Sequence, residues 1–128
     1  VARKFGRVVA VASTAGLKGY AYVSAYVTSK HAVVGLVRSL AVETAKSGVT
    51  VNAVCPSFTD TDLVRESVAA ITRKTGKSEA EVIAQYVKDV PMGRLIRPQE
   101  GAAAVLYLCS PDAQAVTGTA LTVAGGEI

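Results

Sequence analysis

Residues 8–30 read V-V-A-V-A-S-T-A-G-L-K-G-Y-A-Y-V-S-A-Y-V-T-S-K, and this stretch predicts the fold class. Its first five residues are β-branched or small and apolar, which is typical of a parallel strand buried on both faces. A loop of small residues follows. A helix that Ser24 can cap then continues without proline to about Lys46, where Ser47 and Gly48 supply a stop.

The rest of the chain alternates between strand and helix patterns. Residues 49–54 predict a second buried strand that ends at Cys55-Pro56, and residues 119–124 predict a third strand that closes with two glycines. Helices are predicted between these strands, at residues 59–76, 78–89 and 99–109. This alternation predicts an α/β fold with a parallel sheet.

Helix-capping residues support these boundaries. Asp60 or Thr61 can cap the first of the two short helices, and Ser78 with Glu81 forms a capping box for the second. Pro98 lies at the start of the last helix. The two short helices, together about residues 62–92, would form a movable flap.

Composition restricts the class of protein. The chain has 128 residues, is 50% hydrophobic and carries a net charge of +4. Its lysines and arginines are scattered, which predicts a solvated surface and no nucleic-acid partner. Cys55 and Cys109 lie in apolar runs, which predicts free, buried thiols. No apolar run is long enough to span a bilayer, so we predict no membrane partner and a cytoplasmic location.

Three side chains are candidates for chemistry. Tyr26 and Lys30 are four residues apart on the predicted helix, so both lie on one face. Such a pair is more often only a surface pair, but here it follows a strand-end loop that contains Ser13. The Lys30 ammonium favours a phenolate at Tyr26, which prepares it for proton exchange, and Ser13 can hold a substrate oxygen beside it. We therefore predict a catalytic set of Ser13, Tyr26 and Lys30.

Ser13 precedes Tyr26 by thirteen positions, and Tyr26 opens the motif Y-V-T-S-K. At these residues the sequence resembles the short-chain dehydrogenase/reductase family, whose signature is a Ser in a strand-end loop followed by Y-x-x-x-K on the next helix. The resemblance implies an oxidoreductase that interconverts a secondary alcohol and a ketone with NAD or NADP, without a metal. Tyr26 would be the acid/base, Lys30 would bond the nicotinamide ribose, and Ser13 and Tyr26 would both contact the substrate.

The resemblance extends to residues 48–56, which are similar to the family's next strand. That strand normally ends in Pro-Gly, and a Thr five positions after the Pro bonds the nicotinamide carboxamide. Thr61 holds this place. Ser57 departs from the usual Gly, which leaves the geometry of the turn open. The implied cofactor-binding residues are Tyr26, Lys30, Pro56, Ser57, Thr59 and Thr61.

The family's nucleotide-binding half has no counterpart in this sequence, since no Gly-x-Gly-x-x-Gly follows a strand. The resemblance therefore implies that residues 1–128 are the C-terminal, catalytic and substrate half of a single domain. This half would hold the last three strands of a seven-stranded, Rossmann-like, doubly wound parallel sheet with flanking helices. NAD and NADP stay undecided, because the residue that meets the adenosine 2′ position would lie upstream.

The substrate and the assembly are also suggested by resemblance and pattern. The loop after Ser13 and the chain's ending are most similar to bacterial family members that act on 3-hydroxyacyl or 3-oxoacyl thioesters, or on 3-hydroxybutyrate. Lys74 or Arg94 could meet an anionic group, although surface charge is the more ordinary role of each. The helix at residues 24–46 has a second apolar face, which predicts a homo-oligomer, dimer or tetramer.

Two other classes of protein are alternatives to the dehydrogenase. A serine hydrolase would pair Ser13 with His31, but no Gly-x-Ser-x-Gly elbow exists, and His31 on a helix is more ordinarily a packing or surface residue. A non-catalytic oligomerisation module, built on the long apolar helix, remains the alternative to the enzyme.

Overall fold

The computed structural model describes residues 3–128. In this part of the chain the strands and helices follow one another in the order β1 (Gly6–Val11), α1 (Ser24–Thr44), β2 (Val49–Pro56), α2 (Asp62–Thr75), α3 (Glu79–Val87), α4 (Pro98–Cys109) and β3 (Ala120–Val123). Short 3-10 turns lie at Thr14–Gly16, Ala45–Ser47 and Pro111–Ala113. The predicted alternation of strands and helices is confirmed.

The three strands form one parallel sheet in the order β1-β2-β3. The central strand, β2, is buried along its whole length except at Pro56. α1 packs against it through one apolar stripe, in which Val34, Val37 and Ala41 are at most 3% exposed. This stripe and the β-branched residues of β2 form the core.

Asn52 is a polar residue inside that core and is 0% exposed. Its side-chain amide nitrogen donates to the carbonyl of Val116 at 2.8 Å, and its amide oxygen accepts from the backbone N–H of Thr119 at 3.1 Å. Both polar ends of the side chain are therefore satisfied, as burial requires. These bonds hold the segment that leads into β3 against β2.

The prediction that the first strand is buried on both faces is wrong. Val8 and Val11 are 47% and 61% exposed. β1 lies at the edge of the described sheet, so only β2 pairs with it. A continuous apolar run in the sequence cannot distinguish a covered strand from one whose covering element lies elsewhere.

The predicted boundaries of the long helix need correction at both ends. The N-cap of α1 is Val23, which makes no side-chain capping bond, so the prediction that Ser24 caps the helix is wrong. The α-helix ends at Thr44 and tightens into the 3-10 turn that precedes Gly48. Gly48 adopts a left-handed φ of 73°, which confirms it as the stop.

The two short helices also begin where side chains cap them. α2 starts at Asp62 rather than at Thr59, because the Thr61 hydroxyl accepts from the backbone N–H of Val64 at 3.4 Å. Ser78 and Glu81 form the predicted capping box at the start of α3. Local capping patterns therefore located these helices well.

Surface features complete the fold. Cys55 is buried, but Cys109, the last residue of α4, is exposed, so the prediction that both thiols are buried is wrong for Cys109.

On α1, Leu36 and Val42 are 59% and 80% exposed, and they belong to the second apolar face expected of this helix. Within residues 3–128, no helix has the combined length and apolarity needed to cross a membrane.

Gly16 lets the turn after β1 lie directly on the backbone of α1. A Cβ built on Gly16 would be 2.8 Å from the carbonyl oxygen of Lys30 and 3.0 Å from Cγ2 of Val34. Real Cβ atoms do not approach other atoms so closely, so any larger residue would push the turn and the helix apart.

We expect Gly16→Ala to lower the free energy of unfolding by about 1 to 3 kcal/mol, the usual range for overpacking a close contact. Gly101→Ala is the matched control, because a Cβ there meets nothing within 4 Å and alanine favours the α4 helix by up to about 1 kcal/mol. Denaturant unfolding of the two variants measures the difference. Equal stability of the two variants would contradict the close packing of this turn.

Candidate active site

The carboxyl ends of β1 and β2 open into one cavity of about 630 Å³. Ligands of open α/β sheets bind at this edge. Six of the seven residues predicted for catalysis or cofactor binding line the cavity: Ser13, Tyr26, Pro56, Ser57, Thr59 and Thr61. The seventh, Lys30, lies one helical turn beyond Tyr26.

Ser13 follows β1 and caps the 3-10 turn at Thr14–Gly16. Its Oγ accepts a hydrogen bond from the backbone N–H of Ala15 at 3.1 Å. The bond orients the side chain and leaves the hydroxyl proton free to be donated to an oxygen in the cavity. Ser13 can therefore act as a fixed hydrogen-bond donor.

Tyr26 and Lys30 lie on the same side of the first turns of α1. The Lys30 Nζ is 5.6 Å from the centre of the Tyr26 ring and 3.4 Å from the carbonyl oxygen of Val11, at the end of β1. Tyr26 is 50% exposed toward the cavity side. The i, i+4 spacing thus brings a phenol and an ammonium together at the sheet edge, and within residues 3–128 no carboxylate forms an ion pair with Lys30.

The loop after β2 forms the opposite wall of the cavity and is held by backbone bonds. The N–H of Ser57 donates to the carbonyl of Val123 at 3.1 Å, and the Thr59 hydroxyl donates to the carbonyl of Ser57 at 2.9 Å. Thr59 also forms an isolated parallel bridge with Ile96. Thr61 accepts the capping bond of α2, so its own hydroxyl proton stays free to be donated.

Ser57 occupies the turn without backbone strain. Among residues 3–128 the non-glycine residues with positive φ are Lys4 and Tyr22, so Ser57 does not need the left-handed conformation that favours glycine. Its hydroxyl instead donates to the carboxylate of Glu127. The question that the sequence left open about this turn is therefore resolved.

An aromatic wall closes one side of the cavity. Phe58 contacts Tyr20 and Tyr86 edge to face, with ring centres 6.4 Å and 5.1 Å apart. The Tyr86 hydroxyl is 2.7 Å from that of Ser67, which ties α3 to α2. Sequence reasoning missed these aromatic residues, because no local spacing links positions that come from three separate segments.

Charged side chains lie next to this cavity but not in its lining: the Lys30 Nζ is 5.6 Å from the Tyr26 ring centre, and the Lys18 Nζ is 5.0 Å from the Tyr20 ring centre. None of the side chains that line it in the described part of the chain is acidic or basic. Lys74 is exposed on α2, and Arg94 forms a two-bond contact with Glu100, at 2.7 Å and 2.9 Å. The Arg94 guanidinium, with the backbone N–H of Arg97, lowers the pKa of Glu100 to about 2. The structure thus brings neither candidate cation to the site.

His31 is exposed on α1, and its Nδ1 lies 3.0 Å from the carbonyl oxygen of Val27. It does not line the cavity that contains Ser13. The geometry therefore gives no support to a serine hydrolase.

A family model described as enoyl-(acyl carrier protein) reductase matches residues 1–127, which is nearly the whole chain. The chain belongs to the short-chain dehydrogenase/reductase family. The family resemblance noted at Ser13, Tyr26 and Lys30 is therefore confirmed.

Relatives within the family have related chemistry. The chain is 45% identical over 129 residues to a Streptomyces violaceoruber protein named as a ketoacyl reductase of the granaticin polyketide synthase, covering 98% of this chain and 46% of that protein. It is 38% identical over 123 residues to a D-beta-hydroxybutyrate dehydrogenase of Rhizobium meliloti, covering 95% of this chain and 48% of that protein. The chain spans about half the length of these curated relatives.

The fold is shared with solved members of the family. A crystal structure of an actinorhodin polyketide ketoreductase with NADPH matches this chain with a TM-score of 0.89 at 40% identity, covering 98% of this chain and 48% of that one. A short-chain dehydrogenase family protein from Francisella tularensis matches with a TM-score of 0.90 at 33% identity, covering 94% and 50%. The predicted Rossmann-like parallel sheet is therefore confirmed.

Thr61 gives a test of helix capping at the start of α2. We expect Thr61→Ala to lower the free energy of unfolding by about 1 kcal/mol, because the first turn of α2 loses its side-chain cap. Thr61→Asp keeps a capping oxygen, so its free energy of unfolding should lie within about 0.5 kcal/mol of the parent's. Thermal unfolding of the parent and both variants measures these differences. A Thr61→Ala protein as stable as the parent would show that the cap does not stabilise α2.

Proposed function

We propose that the full-length protein is an oxidoreductase that interconverts a secondary alcohol and a ketone with NAD or NADP, and that the described chain carries its catalytic and substrate half. One observation carries this proposal. A free hydroxyl donor, Ser13, and a phenol beside an ammonium, Tyr26 with Lys30, lie at the carboxyl edge of a parallel sheet around a single cavity. Membership of the family supports the same activity.

The groups around the cavity fit the nicotinamide half of such a cofactor. The Lys30 ammonium has donors left for the hydroxyls of a ribose, since its one bond within the described residues is a long one to Val11. Thr61 has a free hydroxyl proton for a carboxamide oxygen, and the backbone around Thr59 lies beside it. Pro56 and Ser57 form the wall against which a flat ring would lie.

In the direction of reduction, Ser13 Oγ donates a hydrogen bond to the ketone oxygen and orients it. Tyr26 Oη then donates its proton to that oxygen, and the positive charge of Lys30 stabilises the phenolate that remains. When bound, the nicotinamide supplies the hydride for reduction and accepts it in the reverse reaction. In the direction of oxidation, the Tyr26 phenolate takes the proton from the alcohol.

For the substrate, we infer a 3-oxoacyl or 3-hydroxyacyl thioester rather than free 3-hydroxybutyrate. The free acid would bring a carboxylate next to a cavity whose described lining carries no cation; Lys30 lies outside that lining, and Lys18 is already paired with Glu127. Desolvating a carboxylate without a positively charged partner is strongly unfavourable, whereas a thioester is neutral at that position. The aromatic wall of Tyr20, Phe58 and Tyr86 suits an apolar acyl group.

We also infer a homo-oligomer, a dimer or tetramer, built through the helix at residues 24–46. The exposed Leu36 and Val42 of α1 favour this contact. The same face would serve the alternative function, a non-catalytic oligomerisation module. A cytoplasmic location remains part of the proposal.

Tyr26→Phe tests the catalytic role. In the full-length protein we expect kcat for ketone reduction to fall by about 10² to 10⁴-fold, because the variant keeps the ring and loses the proton donor. Tyr22→Phe is the matched control, since Tyr22 lies in the loop just before α1, is fully exposed and is outside the cavity lining. Stopped-flow or steady-state oxidation of NADPH or NADH measures the rates.

A normal kcat for Tyr26→Phe would reject Tyr26 as the proton donor, and a full-length parent protein that does not reduce these ketones would reject the oxidoreductase. Direct binding of the cofactor, measured by quenching of its fluorescence, separates the alternatives further. Binding by the full-length protein supports the enzyme, and no binding supports the oligomerisation module.

The substrate class is tested by comparing the neutral thioester and the anionic free acid of the same 3-oxo acid. We expect kcat/KM for the N-acetylcysteamine thioester of 3-oxobutyrate to exceed that for free 3-oxobutyrate by at least about tenfold, a difference of about 1.4 kcal/mol in transition-state stabilisation. A preference for the free acid would show that a cation reaches the cavity.

A further inference from the structure

Glu127 lies behind the wall of the active-site cavity because two glycines turn the backbone after β3. Gly125 and Gly126 have left-handed φ angles of 58° and 91°. A Cβ on Gly125 would lie 2.8 Å from Cγ1 of Val90, so the turn also needs the missing side chain. The turn directs the Glu127 side chain inward, where it is only 2% exposed.

The Glu127 carboxylate accepts hydrogen bonds from two loops. Oε1 accepts from the Tyr20 hydroxyl at 2.5 Å and pairs with the Lys18 ammonium at 2.8 Å, while Oε2 accepts from the Ser57 hydroxyl. Because a carboxylate has no proton to donate, the Tyr20 hydroxyl must donate its own proton in the bond to Glu127. The Thr14 hydroxyl, 2.6 Å from that of Tyr20, is therefore the donor in the next bond.

The charge of Glu127 is compatible with this arrangement at neutral pH. Burial alone would raise its pKa, but the hydrogen bonds from Lys18, Ser57 and Tyr20 outweigh burial and hold the pKa of the carboxyl below its usual value. The carboxylate is therefore a permanent acceptor, and each of its donors is held in one direction.

Two of the residues bound by Glu127, Tyr20 and Ser57, line the cavity, although Glu127 itself does not. Thr14 and Tyr20 come from the loop after β1, and Ser57 comes from the loop after β2, and all three line the cavity. The backbone pairing of the two strands ends with the bond from the N–H of Ala12 to the carbonyl of Val54, at 2.8 Å. Beyond this last backbone bond, the Glu127 carboxylate links the loop after β1, through Tyr20, to the loop after β2, through Ser57.

We propose that Glu127 is a positioning residue that sets the distance between the loop carrying Ser13 and the loop that would hold the nicotinamide. This inference rests on the proposed function of the cleft. It explains why a serine stands at position 57, where the family pattern has glycine: the hydroxyl gives the carboxylate a partner on the second loop. A misplacement of about 1 Å between reacting groups can reduce rates by about 10²-fold.

The test is Glu127→Gln in the full-length enzyme, which keeps the shape of the side chain and removes its charge. We expect KM for the nicotinamide cofactor to rise and kcat/KM to fall by about 10 to 100-fold, since glutamine has one acceptor oxygen in place of the two that serve Tyr20 and Ser57, and no charge for Lys18. Glu100→Gln is the matched control, because it breaks an ion pair of the same 2.7 to 2.8 Å length, with Arg94, away from the cavity. The control should lower the melting temperature without changing KM.

A double-mutant cycle with Ser57 isolates the bridge. Ser57→Gly restores the glycine of the family pattern and removes the bond to Glu127, and we expect it to lower kcat/KM less than Glu127→Gln does. The double variant should be no worse than Glu127→Gln alone, because both changes remove the same contact. Independent, additive losses would contradict the bridge.

Three outcomes overturn the proposal or its basis separately. An unchanged KM and kcat/KM in Glu127→Gln, with Tyr26→Phe inactive, rejects the positioning role and leaves the oxidoreductase intact. A near-normal kcat in Tyr26→Phe rejects the proposed mechanism of the cleft whatever the effect of Glu127→Gln. If Glu127→Gln does not fold, Ser57→Ala and Lys18→Met remove one partner each from the same carboxylate, and a normal KM for the cofactor in both rejects the bridge.

Discussion

The parallel pairing of β1 with β2 determines where every side chain of the cleft can lie. Val11 is in register with Val54, and the last bond of the pair runs from Ala12 to Val54, so both strands reach the same edge of the sheet. The loops that follow must therefore leave side by side, one with Ser13 and one with Ser57. α1 can return along the sheet close enough to bring Tyr26 there because Gly16 offers no side chain to the helix backbone.

Local patterns in the sequence predicted the parts of this arrangement that depend on near neighbours. The order of strands and helices follows from the periodicity of apolar residues, and the capping box of Ser78 and Glu81 follows from a spacing of three. Tyr26 and Lys30 share a face because any helix places residues i and i+4 together. Errors arose where tertiary context decides: Ser24 is bypassed as a cap, and Val11 is exposed at a sheet edge.

Contacts between distant parts of the chain could not be derived in the same way. Ser57 and Glu127 are 70 residues apart, and Tyr20 and Glu127 are 107 apart. Nothing in the spacing of either pair indicates a contact, because only the folded sheet brings the end of β3 next to the end of β2. At position 57 the sequence shows only that a serine replaces the usual glycine of the family pattern. It does not show that Glu127 is the hydrogen-bond partner of this serine.

Asn52 gives the sheet a property that its backbone bonds alone would not provide. Its side-chain amide offers one donor and one acceptor, like a peptide unit, to Val116 and Thr119 just before β3 begins. A slip of β3 by one residue along β2 would move the strand by about 3.3 Å and break both bonds. The same slip would carry Glu127 out of reach of Ser57. The buried amide of Asn52 thus fixes the register of β3 and, through it, the position of the Glu127 carboxylate beyond the end of that strand.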